Sequence, residues 1–204
     1  MGAYNQIEIY PYLVIETEFS QRVETLLELT TIKEVDRIEF IESIRLISEG
    51  NDKYYQYKQT KLIFDLPYNN QIEWSIDFFN WPNQKLKHEI RLGVPSESLL
   101  YGKHPNIQYK EDLIKQIEYL MMKINSQKEN EVLLFTDEAS EGNFIAELEG
   151  KLNSVNYLFD IAIIPSKIQW NINVDKYEMV EDLKNQKKYR SKHNYMKSIK
   201  SDCN

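Results

Sequence analysis

Gln71-Ile72-Glu73-Trp74-Ser75-Ile76-Asp77-Phe78 alternates polar and apolar residues without a break, and Lys85-Leu86-Lys87-His88-Glu89-Ile90-Arg91-Leu92-Gly93-Val94 repeats the pattern a few residues later. Successive side chains of a β-strand point to opposite faces, so a period of two describes a strand with one buried and one wet face. Ile72, Trp74, Ile76 and Phe78 take the buried side of the first run, and Leu86, His88, Ile90, Leu92 and Val94 that of the second. Upstream, Leu62, Phe64 and Leu66 alternate with Lys61, Ile63 and Asp65. Pro67-Tyr68-Asn69-Asn70 and Trp81-Pro82-Asn83 supply the turns between the runs. The stretch reads as an antiparallel meander, around which the rest of the chain is placed.

Before it, Asp36 to Ser48 fits two patterns. Ile38, Ile41, Ile44 and Ile47 form a helical stripe, whereas Ile38, Phe40, Ile44 and Leu46 line one face of a strand interrupted by Glu42. The turn Glu49-Gly50-Asn51-Asp52 leads into Tyr54-Tyr55-Gln56-Tyr57, which favours a hairpin and a meander of three to four strands over about 38–94. Gln6 to Tyr10 and Leu13 to Glu16 read as strand interrupted by Pro11, a pattern suited to a sheet edge. Phe19, Val23, Leu26, Leu27 and Thr30 recur at helical spacing behind Thr17 or Ser20 as N-cap.

After the meander, Leu113, Ile117, Leu120, Met121 and Ile124 mark a helix from about Lys110 to Asn125. Val132-Leu133-Leu134-Phe135 is a continuous apolar run, as in a strand buried on both faces. With the helical period of Phe144, Ile145, Leu148, Leu152 and Val155 and the apolar stretch Tyr157 to Ile164, it predicts a strand–helix–strand unit over 131–165. Such a unit is a right-handed crossover that adds two parallel strands. Lys167 to Val174 alternates as a further strand, and Asp175 with Glu178 resembles a capping box opening a last helix that carries Val180 and Leu183. The expected architecture is one α+β domain over 1–189, with a basic, frayed tail over 190–204.

Among 204 residues, 42% are hydrophobic and 28% charged, which excludes wholesale disorder. No apolar run approaches the roughly 18–20 residues that span a bilayer, and Met1 to Tyr10 lacks the pattern of a secretory signal. The single cysteine, Cys203, cannot form an internal disulfide, so a reducing cytoplasmic location is expected. The net charge of −7 is unevenly placed. Seven of the 25 basic residues lie between Leu183 and Lys200; the other 18 face 31 acids before Asp202, a formal −13. An acidic body favours a basic protein partner and disfavours nucleic acid, except through the basic tail; alternatively, the surplus carboxylates serve solubility.

Three features bear on chemistry. Asp137, followed by Glu149 and Lys151, has the outline of the PD-(D/E)xK nucleases, in which acids hold a divalent metal and a lysine acts on water. That reading requires Glu149 and Lys151 on one strand, whereas the apolar spacing around them is helical and turns them to different sides. His88, His104 and His193 are scattered and give no zinc spacing, so no metal and no cofactor is expected; His88 reads as a hydrogen-bonded core residue. The third feature is aromatic. Tyr54, Tyr55 and Tyr57 cluster at one strand start, with Tyr55 and Tyr57 expected on the wet face and Phe79 and Trp81 joining them. Exposed tyrosine and tryptophan carry protein–protein binding energy, unless a second layer covers them.

The resulting expectation is a small, acidic, non-catalytic module that binds a basic protein through Tyr54, Tyr55, Tyr57, Phe79 and Trp81. Bacterial toxin-neutralising immunity proteins share this general profile by charge and fold class. The alternatives are a nuclease using Asp137, Glu149 and Lys151, and a small-molecule module with a pocket beside Trp74 or Trp170.

Overall fold

The computed structural model describes residues 4–11, 16–50, 52–67, 72–81, 88–101, 108–137, 159–168, 172 and 174–192. In chain order these form β1 (Tyr4–Tyr10), α1 (Glu16–Leu27), α2 (Glu34–Ser43), β2 (Arg45–Glu49), β3 (Asp52–Gln56), β4 (Lys61–Ile63), β5 (Glu73–Asn80) and β6 (His88–Pro95). There follow α3 (Ser96–Leu99), β7 (Leu100–Tyr101), β8 (Gln108–Tyr109), α4 (Glu111–Gln127), β9 (Val132–Asp137), β10 (Ile161–Pro165), β11 (Tyr177–Leu183) and β12 (Gln186–Ser191). Helix and sheet are mixed, as an α+β chain requires. Eight strands make one antiparallel sheet in the order β11-β12-β10-β9-β1-β6-β5-β4.

Alternation along these strands sorts the residues onto two faces. Ile7 and Ile9 of β1, Trp74, Ile76 and Phe78 of β5, Ile90 and Leu92 of β6, and Leu133 and Phe135 of β9 belong to one core. In it also lie Phe19, Val23, Leu26 and Leu27 of α1, with Leu113, Ile117, Leu120, Met121 and Ile124 of α4. Both helices thus bury the stripe that their spacing predicts. Tyr10, Val132, Leu134, Phe159, Ala162, Ile164 and Tyr177 form a second, smaller core that takes the opposite residues of β1, β9 and β10. The run Val132–Phe135 is therefore buried on both faces, as expected.

Several expectations are corrected. β1 is not an edge strand: it pairs with β6 on one side and β9 on the other, and Pro11 stands just beyond its last residue. Since proline cannot donate to a ladder, it ends the strand instead of marking an edge. Thr17 and Ser20 lie inside α1, which starts at Glu16. Asp36 to Ser43 is helix, and only Arg45–Glu49 is strand. The hairpin does form, through Gly50 at a left-handed φ of +62°, but β2 and β3 make their own two-stranded sheet and do not extend the large one.

β9 and β10 pair antiparallel, Phe135 opposite Ile161, so the parallel crossover is overturned; the helix expected over 144–155 lies outside the described residues. Apolar runs buried on both faces suit parallel strands, yet this pair reaches the same burial inside an antiparallel sheet. The C-terminal helix is overturned as well. Residues 177–183 and 186–191 form a hairpin, so strand pairing overrides the local capping pattern. Of the strand expected over 167–174, Lys167 and Ile168 sit in a turn and bend. Arg190 and Ser191, expected in the frayed tail, belong to β12. Up to Lys192 the chain carries 23 basic residues against 31 acids, a formal −8 in place of −13. Among the described residues, no helix is long and apolar enough to cross a membrane.

Candidate functional site

The four aromatic residues expected on one wet face, Tyr55, Tyr57, Phe79 and Trp81, are divided between two faces of the sheet. Tyr55 stacks on Phe19 of α1, with ring centroids 4.6 Å apart, and its hydroxyl shares a 2.8 Å hydrogen bond with Nδ1 of the buried His88. Tyr57 packs edge-on against Phe78 at 4.8 Å and donates its hydroxyl to Asp77. Burial, and the negative charge of Asp77 that accepts this hydrogen bond, raise the Tyr57 phenol well above its ordinary value. Both tyrosines are therefore partly covered, because the β2–β3 hairpin folds its Tyr55 side over α1 and β5. Tyr54 faces the other way, is 42% exposed and donates to Glu49 at 2.8 Å. Phe79, next to Phe78 along β5, points to the opposite face and stacks on Trp81 at 6.2 Å.

That opposite face corrects the sequence reading most. Glu89 and Arg91, and Glu8 by the same alternation, occupy positions that should be wet, yet Glu8 and Glu89 are fully buried and Arg91 nearly so. Glu8 stands opposite Arg91 across the β1–β6 pair. Gln6 Nε2 and Thr136 Oγ1 donate to Glu8 Oε1 at 2.8 and 2.9 Å, and the Tyr10 hydroxyl donates to Oε2 at 2.7 Å. Arg91 donates Nε and Nη2 to Glu89 Oε1 at 2.9 and 2.6 Å, while Trp81 Nε1 donates to Oε2 at 3.0 Å. The Arg91 guanidinium also lies 4.0 Å over the Phe79 ring. Burial and the nearby Glu8 carboxylate push Glu89 up to about 7, against the opposing pull of Arg91 and Trp81.

Two neighbouring buried carboxylates are raw material for acid–base chemistry. Here, however, all four oxygens already accept hydrogen bonds and neither group reaches solvent. These bonds form a buried polar network in which Thr136 ties β9 to Glu8 of β1, while Arg91 and Trp81 hold Glu89 of β6. A second buried pair does similar work between layers. Arg22 of α1 donates Nε and Nη2 to Glu131 at 2.8 and 2.7 Å, with both side chains 1% exposed, and reaches Gln127 at 3.1 Å.

Of the nuclease outline, Glu149 and Lys151 lie outside the described residues, as does the side chain of Asp137 at the end of β9. Among the described residues, no group of histidine, cysteine, aspartate or glutamate is arranged to hold a metal ion. Trp170 is likewise outside them, but Trp74 backs an open cleft of about 1330 Å³ with Tyr4, Lys61, Gly93, Lys110 and Leu113 among its walls. The indole N–H of Trp74 is buried without a hydrogen-bond partner.

The outer side of α2 was missed, because the segment was read as strand. Val35, Ile38, Glu39 and Glu42 recur at the spacing of one helix face, and all are exposed, Val35 at 75% and Ile38 at 47%. Glu39 pairs with Lys58 at 2.6 Å. Glu34, Asp36 and Glu42 make no ion pair among the described residues. Glu34 and Asp36 lie in the first turn, where the helix dipole favours them. Glu42 lies in the last turn, where the dipole opposes a carboxylate. The helical period of Ile38, Ile41 and Ile44 could have found the helix, but not its exposed face, because Ile41 packs against the core while Ile38 does not.

Comparison with known families, with curated proteins and with solved structures finds no match to this chain.

Proposed function

We propose that this protein is an acidic, cytoplasmic binding module that docks a basic partner protein on the outer face of α2, in the manner of a toxin-neutralising immunity protein. One observation carries the reading: Val35 and Ile38 stand in solvent beside Glu42, a carboxylate without an ion pair among the described residues, at the unfavourable end of its helix. An apolar centre with a charged rim is the anatomy of a transient protein interface. Carboxylates at such a rim speed association with a basic surface, while the apolar centre sets how long the complex lasts. Tyr54, exposed on the β2–β3 hairpin, is the one residue of the expected aromatic binding set that this reading keeps for the partner.

The test is affinity capture at low salt, followed by identification of what is retained. A basic protein whose association slows as salt rises supports the proposal. A retained protein of acidic character, or a flat salt response, defeats it. A second reading, a small-molecule module, is favoured by the cleft beside Trp74. The nuclease alternative is tested by magnesium-dependent cleavage that vanishes in Lys151→Ala.

A further inference from the structure

β11 is the terminal strand of the large sheet, and no described strand pairs with its outer side. It pairs with β12 on one side, while its residues from Glu178 to Asp182 are exposed on both faces, Met179 at 51% and Val180 at 40%. An edge strand presents backbone N–H and C=O groups on which a further strand can pair. The opposite edge differs: Thr30 bridges Phe64 there, and the Thr31 N–H donates to the Ile63 carbonyl at 2.8 Å.

The charges on β11 decide what could pair with it. Glu178, Glu181 and Asp182 stand opposite Arg190, Lys188 and Lys187 of β12. Arg190 and Lys188 pair instead with Glu118 of α4, so the β11 carboxylates are left without ion pairs among the described residues. A second copy pairing antiparallel about Val180 would set Glu178 against Asp182 twice, and like charges directly opposite one another destabilise a ladder. The register shift between Met179 and Glu181 further spoils such a self-pair. A strand of opposite charge meets no such repulsion.

We propose that β11 is a docking edge to which a partner protein adds an antiparallel extended segment with two apolar residues flanked by basic ones, in the order basic-basic-apolar-apolar-basic. Lysines or arginines of that segment face Glu178, Glu181 and Asp182, and its apolar residues lie against Met179 and Val180. This surface is separate from the α2 face and stands or falls independently of it.

The probe is a nine-residue peptide centred on Lys-Lys-Val-Val-Lys, with a peptide centred on Glu-Glu-Val-Val-Glu as control. Binding is measured by titration and located by amide hydrogen exchange on the full chain. The expected result is slowed exchange confined to Tyr177–Leu183, with affinity at least about tenfold weaker in Glu178→Lys/Glu181→Lys. Glu178→Gln/Glu181→Gln keeps the side-chain shape and covers the case in which charge reversal prevents folding; a loss of roughly threefold is expected there. Protection on α2 alone, equal binding of the acidic peptide, no binding, or a dimer protected at β11 would each overturn the proposal. Removing Val35 and Ile38 leaves the peptide affinity unchanged, which separates this test from that of the α2 face.

Discussion

Glu8, Glu89 and Arg91 lie buried on the second face of the large sheet, with every carboxylate oxygen hydrogen-bonded, whereas Val35, Ile38 and Glu42 stand in solvent on α2. The usual partition is inverted in both places, with charge inside and apolar surface outside. The difference lies in satisfaction. A buried charge is tolerable only when paired and hydrogen-bonded, and the sheet supplies Gln6, Tyr10, Thr136 and Trp81 for that purpose. Among the described residues, no group covers Val35 or pairs with Glu42 in the same way. Charge is hydrogen-bonded and internal on the sheet, and the exposed apolar surface of α2 is the one we propose for a partner.

The comparison is broken first by removing a buried cation. Arg22→Ala leaves Glu131 uncompensated in the interior and is expected to cost about 3–5 kcal/mol, measured by urea denaturation. A loss below about 1 kcal/mol would mean that the buried charges carry no structural load.

Protonation of Glu89 is the next largest effect. An unfolded glutamate titrates near 4.5, whereas the folded group holds its proton up to about 7. The stability this provides is complete below the lower value and is lost as pH rises through the higher one. Wild-type stability should thus fall by about 3 kcal/mol between pH 4.5 and pH 7.5, and Glu131, also raised mainly by burial, acts in the same direction. Denaturation midpoints across that range check the slope, which Glu89→Gln should flatten.

Smaller effects sharpen the contrast on the exposed side. Tyr55→Phe keeps the stack on Phe19 and removes the bond to His88, so it should cost about 1 kcal/mol of stability while leaving partner binding unchanged. Glu42→Lys places a favourable charge in the last turn of α2 and should raise stability by about 0.5 kcal/mol while slowing association with a basic partner. Gain in one property with loss in the other is what a functional surface predicts.

Periodicity made the apolar half of the sheet legible. Trp74, Ile76, Phe78, Ile90 and Leu92 are buried at the positions their alternation marks. The same alternation misassigned Glu89 and Arg91, because a period of two states that two faces differ and not that one of them is wet. Pairing partners were not legible either. Whether β9 and β10 run parallel depends on contacts far apart in sequence, and the hairpin at 177–191 overrode a local helix signal for the same reason. As to the site, Tyr54, Tyr55 and Tyr57 were identifiable as a cluster. Which of them reaches solvent depended on where the hairpin packs, since Tyr54 and Tyr55 are neighbours on opposite faces of β3.

The dissociation rate of the captured basic partner tests the α2 assignment most directly. Val35→Ser/Ile38→Ser removes apolar surface that is already in solvent, so stability should stay within about 0.5 kcal/mol of wild type. Dissociation should quicken by roughly tenfold or more, because apolar anchors act on the off-rate. An unchanged dissociation rate in this stably folded variant would contradict the account.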